Sequence, residues 1–420
     1  MKKVLVICDL FPPAFAPRMG YLCKYLPAHG WEPVVITEYI PQTIYKELSE
    51  NCQNVTYVNY YQSNNARLKK IKYTFVFLAD FFLGYKDRIM TKIAQRQIDC
   101  QNIALILTSS YRTFPLRTAH KLSKKNNIPL MVDLRDMIEQ FPGNEHISKK
   151  FTRSETMNRI IAAVLTKKLF RQRNKVLKDA VAVTTVSPWH VNVLKQYAQN
   201  VQLIYNGFDP ALFVHKVIPV ETFKITYTGR LMSAELRDPS LLFEAVANLH
   251  KNKRIDFETF RIQFYTDDES KNTLSAIAAT YRVADFVDYF GYVSNHMIPD
   301  ILNESSVLLL LTNKSAGAHS PKGIMTTKVF EYMAVEKPIL CIRSDEGCLA
   351  ETIRESQSGI AANTVKQVEH FILEKYAEWQ QNGYTHQKTD RQKVWRFSRA
   401  AQAEQFTRIF DELIVNGVLT

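Results

Sequence analysis

The sequence predicts an α/β protein of two domains, each a parallel sheet wound on both sides by helices, the two facing each other across a cleft. Three observations carry this reading. The 420 residues exceed the size of about 250–300 residues at which one hydrophobic core stops growing. Short apolar runs alternate with helical patterns along the chain, the signature of parallel strands with helical crossovers. The alternation breaks once, at the turn-rich segment Asn206-Gly207-Phe208-Asp209-Pro210, and then begins again. The expected organisation is 1–205, then 206–395, then a helix over 396–420 that packs back toward the first domain.

In the first domain, residues 4–8 read as a buried strand, 21–29 as a helix capped by Gly30, and 33–37 as a strand. Strands follow at 103–107 and 130–134, with a helix at 117–126 between them. A further strand at 180–186 leads to Ser187-Pro188, a cap and first-turn proline for the next helix. The second domain reads as strands at 224–227, 260–265, 287–290, 307–311 and 338–342, with helices at 240–250, 272–281, 297–304 and 327–334. The chain carries neither low-complexity segments nor short-period repeats. Ligands of open parallel sheets bind beyond the carboxyl ends of the strands. Function is therefore expected in the loops 9–20, 109–112, 133–136, 229–237, 291–293 and 322–331.

Composition narrows the partners. A hydrophobic fraction of 46% and a charged fraction of 23% are those of ordinary globular proteins and exclude extended disorder. The apolar runs at 75–83 and 307–311 are far shorter than the roughly 20 residues that span a bilayer, and the first apolar run is too short for a signal peptide. A cytoplasmic chain is expected. The six cysteines have no paired spacing of the zinc or redox kind, so a reducing compartment and no structural metal are expected. A net charge of +13 and a pI near 9.3 call for an anionic partner. Nucleic acid ranks last, because no recognition motif interleaves aromatic and basic residues. Basic residues concentrate at 149–178, and Lys69, Lys70, Lys72 and Tyr73 lead into Phe75, Phe77, Phe81 and Phe82. Such a surface can rest on the inner face of a membrane; the alternative is that the aromatics are core and the lysines solvate helix faces.

The strand at 224–227 runs into Thr228-Gly229-Arg230, with Arg237 close behind. Two guanidinium groups at one strand end offer donor forks for phosphate oxygens; alternatively they are solvated surface charges. The segment 321–334 reads as a loop entering a helix, whose amino terminus can hold an anion. Glu331 lies within that helix, where a carboxylate accepts two hydrogen bonds from vicinal ribose hydroxyls or simply faces solvent.

These segments, in their order, resemble the retaining GT-B glycosyltransferases of family 4 (glycosyl transferases group 1), over nearly the whole chain. FPPAFAPRMGYLCKYLPAHGWEPVVIT resembles that family's first loop and helix, MVDLRD a motif after a central strand, and VTTVSPWH with LIYNGFDP the approach to the hinge. YTGRLMSAELRDPSLLFEA is similar to the donor-phosphate segment, VDYFGYVSNHMIPDILNESSVLLLL to the base-binding region, and KGIMTTKVFEYMAVEKPILCI to the ribose-binding helix. The resemblance implies two Rossmann-like domains, acceptor first and donor second. It implies transfer of a hexose from a nucleoside diphosphate sugar to a glycan or lipid-linked hydroxyl, in cell-surface polysaccharide synthesis, without metal or cofactor.

By the same resemblance, Gly229, Arg230, Arg237, Gly291, Tyr292, Val293, Thr327, Lys328 and Glu331 bind the donor. Arg230 takes the place of the diphosphate-binding arginine, and Arg237 a place usually held by lysine. Glu331 matches the second glutamate of a paired motif whose first position, eight residues earlier, is Gly323 here, so the usual acidic contact to the transferred sugar is missing. Arg230, Arg237, Asp133, Arg135 and Asp136 are assigned to the catalytic centre, and Arg18, Gly20 and Ser110 to the acceptor or sugar cleft. Arg135 stands where relatives carry a histidine; a permanently protonated arginine acts there by charge or by pairing with Asp136 rather than as a base. A sugar-nucleotide epimerase and a non-catalytic sugar-nucleotide binder are the alternatives.

Overall fold

A computed structural model describes residues 1–61, 66–110, 113–140, 154–231, 234, 237–312, 323–342 and 347–418; within these, the side chains of 66–71, 74, 77, 81 and 416–418 are not described. The chain divides into two compact units, Met1–Tyr205 with Arg399–Thr420, and Asn206–Ser398.

The first unit is built on a seven-stranded parallel sheet in the order β3-β2-β1-β4-β5-β6-β7. Its strands are β1 (Lys2–Cys8), β2 (Trp31–Glu38), β3 (Val55–Val58), β4 (Ile103–Ser110), β5 (Leu130–Leu134), β6 (Ala182–Thr185) and β7 (Val201–Leu203). The crossovers carry α1 (Pro17–Tyr25), α2 (Lys46–Ser49), α3 (Ala66–Leu83), α4 (Tyr85–Cys100), α5 (Leu116–Asn126), α6 (Glu155–Asp179) and α7 (Pro188–Leu194). β1 is a continuous apolar run because both faces are covered. Leu5 and Ile7 enter the core made with Met90, Ala94 and Leu116, whereas Val4, Val6 and Cys8 enter the opposite core with Met19, Leu22 and Phe406. The C-terminal helix (Arg399–Val418) closes that second core, with Phe410 edge-on to Trp31 at 5.1 Å. The helix expected at 21–29 starts earlier, at Pro17, whose fixed φ suits a first turn. Its end tightens into a 3-10 turn over Leu26–His29, stopped by Gly30 at φ +79°.

The second unit has a six-stranded parallel sheet, ordered β10-β9-β8-β11-β12-β13. The strands are β8 (Phe223–Thr228), β9 (Phe260–Tyr265), β10 (Val287–Phe290), β11 (Val307–Leu311), β12 (Ile339–Ile342) and β13 (Gly359–Ala362). The helices are α8 (Ser240–Lys251), α9 (Asp268–Thr280), α10 (Ile298–Asn303), α11 (Thr327–Ala334), α12 (Cys348–Glu355), α13 (Val365–Asn382) and α14 (Arg391–Trp395). A capping box of Thr364 and Gln367 opens α13, and Gly383 at φ +74° closes it. β8 and β11 lie side by side in the centre, so the loops leaving them define the middle of this sheet's carboxyl edge.

Among the described residues no helix is long and apolar enough to cross a membrane. The apolar segment of α3 is not core throughout: Tyr73, Phe75, Leu78, Phe82 and Leu83 are exposed, Phe82 by 71%. Lys69, Lys70, Phe77 and Phe81 belong to side chains outside the described set, as do residues 149–153.

Candidate functional site

In the second unit the end of β8 gathers three cations. Tyr227, the last inward-facing aromatic of the strand, is 1% exposed. Its hydroxyl donates to the Arg230 carbonyl at 2.8 Å and accepts from Lys328 Nζ and from Arg237 Nη1, both at 3.3 Å. Lys328 also stands 4.3 Å from the Tyr227 ring centroid, a cation–π contact, and Arg237 donates to the Arg230 carbonyl as well. Arg230 points the other way. Its Nε meets Asp267 at 3.0 Å and its guanidinium lies 6.0 Å from the Tyr292 ring, with the side chain 67% exposed. Asp267 caps α9 by accepting from the Ser270 N–H; the hydrogen bonds of Ser270, and after them the charge of Arg230, hold its carboxyl below the usual range.

Two backbone features let these groups converge. Gly229 sits at φ +115°, and a Cβ built there would fall 2.5 Å from Lys328 Nζ. Only glycine admits both the conformation and the ammonium. At the start of α11, Thr326 is extended and makes no side-chain cap, so the first turn, Thr327 and Lys328, has no side-chain acceptor from that residue. The N–H groups of a first turn without a side-chain cap, and the helix dipole there, favour an anion. Glu331 follows one turn later, half-buried, and Tyr332 ties α11 to β8 through a 3.3 Å contact between its hydroxyl and Thr228 Oγ1. Burial pushes the Lys328 ammonium below the ordinary lysine range; Tyr227 opposes this, Arg237 adds to it, and Glu331 opposes it. Gly291 and Tyr292, after β10, are exposed and Val293 is half-buried, with open space beside Gly291. Gly323 is buried at φ +65°, while Pro321 and Lys322 lie outside the described residues.

The first unit corrects several sequence expectations. Asp133, expected beside a reacting sugar, is fully buried and its carboxylate is occupied by neighbours from its own unit. It accepts from Arg18 Nη2 at 2.9 Å and Nε at 3.0 Å, from Thr184 Oγ1 at 2.9 Å, and from Ser109 Oγ at 3.3 Å. Arg18, expected at the acceptor or sugar cleft, is thereby held inside the first unit. It is 3% exposed, and it also donates to the carbonyls of Ile204 and Tyr205 at 2.9 and 2.8 Å, fastening α1 to the end of the first unit's chain. Gly20 is a packing residue: a Cβ there would lie 2.5 Å from Pro12 Cγ and 2.8 Å from Leu48. Ser110 is buried and donates to the Phe114 carbonyl at 2.7 Å. Arg135 pairs with Asp9 at 3.1 Å rather than with Asp136, which is exposed. Arg112 lies outside the described residues.

Sequence reasoning missed Tyr227 and Asp267. An aromatic in a buried strand reads as core, and an aspartate before a helix reads as a cap; both descriptions hold, and each residue also orients an arginine.

Residues 222–374, within the second unit, match the family model described as glycosyl transferases group 1. No curated protein matches the sequence. Among solved structures, sucrose-phosphate synthase from Thermosynechococcus elongatus aligns with a TM-score of 0.60 at 14% identity, over 99% of this chain and 100% of that one. A glycosyltransferase from Rickettsia africae aligns at 0.62 and 16% identity, over 99% and 98%. Anabaena HepE, solved in complex with UDP-glucose, aligns at 0.62 and 14% identity, over 98% and 100%. The fold is GT-B. At these identities the likeness speaks for the fold alone. In that fold the Gly229–Arg230 turn, the α11 amino terminus and the residues after β10 all belong to the carboxyl edge of one sheet, where parallel sheets bind ligands.

Proposed function

We propose that the chain is a retaining glycosyltransferase that moves a hexosyl group from a nucleoside diphosphate sugar to a hydroxyl of a glycan or lipid-linked acceptor in cell-surface polysaccharide synthesis. The observation that carries the reading is the convergence of Arg237 and Lys328 on the Tyr227 hydroxyl, with Arg230 on the same turn after β8 and the first turn of α11 beside them. Two cations held on Tyr227, a third on the adjoining turn and a helix amino terminus suit a diphosphate. Glu331, one turn along the same helix, suits the adjoining ribose. The match of residues 222–374 to the group 1 family supports the same assignment.

In the reaction the bond from the anomeric carbon to the diphosphate oxygen breaks, the acceptor oxygen bonds to that carbon on the same face, and the acceptor proton passes to the departing diphosphate. Negative charge grows on the leaving group. Arg237 and Lys328 are held beside the Tyr227 hydroxyl before the donor arrives, so little reorganisation of these two is needed as the charge develops, and Arg230 joins them by turning from Asp267. The chain's own cations make an added metal unnecessary for this step. Turnover is tested by incubating the protein with UDP-, GDP- and dTDP-sugars and acceptor lipids and following labelled product. Transfer abolished in Arg230→Ala and Glu331→Ala, with folding intact, supports the reading. Epimerised free nucleotide, or tight binding without turnover, replaces it with an epimerase or a non-catalytic binder.

A second surface supports the lipid-linked choice of acceptor and a place on the inner leaflet. Phe75, Phe82 and Leu83 on α3 are exposed, as are Met157, Ile160 and Val164 on α6. Arg159, Lys167, Arg171, Lys175 and Lys178 of α6 are exposed too. Basic residues near an anionic leaflet contribute about 1 kcal/mol each, and exposed aromatics enter the headgroup boundary. Flotation with phosphatidylglycerol vesicles at low and high salt tests it; a chain that stays at the bottom of the gradient at low salt overturns it.

A further inference from the structure

At the opposite end of α11 from the three cations, the second unit brings together His215, Glu336 and His386. They come from segments far apart in sequence: the stretch before β8, the turn after α11, and the stretch after α13. One ligand atom of each lies within 4.8 Å of the other two, and the two imidazole rings are 5.1 Å apart. His215 Nδ1 lies 2.9 Å from the Val335 carbonyl. That bond fixes the Nδ1–H tautomer and leaves the Nε2 lone pair outward, the arrangement that metal-ligating histidines adopt. His386 has a buried Nδ1 with no hydrogen-bond partner, and its Nε2 lies 4.0 Å from Glu336 Oε2. Its backbone is held by Glu378, which accepts its N–H at 2.8 Å. Glu336 is 7% exposed and accepts a fork from Arg391 at 2.6 and 3.1 Å.

We propose that His215, Glu336 and His386 form a binding site for one divalent transition-metal ion of the zinc class, which clamps these three segments of the second unit together. Two imidazoles and one carboxylate select zinc over calcium or magnesium, whose sites are built from oxygen. Tetrahedral ligand atoms at zinc stand roughly 3.4 Å apart, so donors within 4.8 Å of one another close by up to about 1.4 Å to hold the ion, a movement within reach of side-chain rotation. Arg391 is the competitor, since it neutralises the same carboxylate; its side chain is 75% exposed and free to swing away. A carboxylate has about four lone-pair sites, so it can also serve both partners.

The experiment is zinc titration by calorimetry and metal analysis of chelator-washed full-length protein, alongside thermal unfolding with and without Zn2+. The expected result is one zinc per chain and a higher unfolding midpoint with zinc. Affinity falls by more than roughly a hundredfold in His215→Ala and in His386→Gln, and is unchanged in His370→Ala, an exposed histidine on α13. Arg391→Gln is expected to tighten zinc binding by removing the competitor, an effect that a merely structural ion pair does not give. Unfolding midpoints measured in chelator show that each variant is folded. No zinc uptake by the wild type, wild-type affinity in His386→Gln, or unchanged affinity in Arg391→Gln overturns the proposal. Because zinc is the only ligand used, the result is independent of whether the chain transfers sugar.

Discussion

Lys328 Nζ occupies the space that a side chain at position 229 would need: a Cβ on Gly229 would lie 2.5 Å from that nitrogen and 2.9 Å from Cε. The lysine crosses from the first turn of α11 to the end of β8, and the absence of a side chain on the strand end lets it reach Tyr227. One missing methyl group thus joins two loops that are about a hundred residues apart.

Gly229→Ala is therefore expected to displace Lys328 and to strain a backbone at φ +115°. Strained backbone of this kind costs about 1–3 kcal/mol. Nucleotide-sugar affinity should fall about tenfold or more, as one lost charge-assisted contact of about 1.5–3 kcal/mol implies. Calorimetric titration beside a urea melt separates the two effects. Undiminished affinity would show that Lys328 does not serve the donor from its present position.

Tyr227→Phe keeps the ring under Lys328 but removes the hydroxyl that accepts from Lys328 and Arg237 and donates to the Arg230 carbonyl. The stability cost is expected to be about 1 kcal/mol, the usual net value of a hydrogen bond. Donor KM should rise several-fold through loosened cations, with the acceptor KM unmoved. A rise in both constants alike would mark a general loss of fold rather than a positioning role.

Arg18 and Asp133 predict the reverse pattern. Both are buried, 3% and 0% exposed as side chains, with a 2.9 Å contact. Removing one partner leaves a buried charge unpaired, which costs about 3–5 kcal/mol. Arg18→Met and Asp133→Asn should each lower the urea midpoint strongly while leaving the donor affinity of the folded fraction unchanged. Asp133→Leu combined with Arg18→Met should recover much of the loss, since replacing both charges by apolar groups removes the desolvation penalty. A selective fall in kcat with normal stability would return Asp133 to the chemistry.

The inner strands were legible because burial on both faces makes them short apolar runs, and β5, β9, β10 and β11 lie where the pattern placed them, whereas β3, β7 and β13, short and only partly buried, were not read as strands. α3 and α6 were not, for α3 carries its apolar residues outward as well as inward and α6 is polar over much of its surface. Within the candidate site, Gly229, Arg230 and Arg237 stood out by their position after a strand, and Lys328 only through the family resemblance of the segment that enters α11. Tyr227 was hidden because its polar tip matters while its ring is core. The surroundings of Asp133 were hidden for a related reason: an acid after a buried strand looks alike whether it faces a ligand or an arginine from α1. The grouping of His215, Glu336 and His386 has no sequence spacing at all and exists only in three dimensions.

The last prediction concerns pH. Burial, with Arg237 nearby, sets the Lys328 pKa below the ordinary lysine value, so in the free protein its proton leaves earlier in an alkaline titration than from an exposed lysine. A bound diphosphate adds negative charge beside the ammonium and raises that pKa again. Donor binding therefore takes up a proton between the free and bound pKa values. Affinity should be level below the free value and then decline by up to tenfold per pH unit above it, as one linked proton requires. Stability of the unliganded protein carries the opposite sign. Over the window between the lowered folded pKa and the ordinary unfolded one, the unfolded chain binds more protons, so this group makes stability rise with pH. Lys328→Arg holds its charge throughout and should flatten the alkaline decline in affinity, even if the longer side chain weakens binding at neutral pH. Isothermal titration of a nucleotide sugar from pH 7 to 10, for wild type and Lys328→Arg side by side, makes the measurement. Parallel declines in the two proteins would assign the titration to another group and remove Lys328 from the donor site.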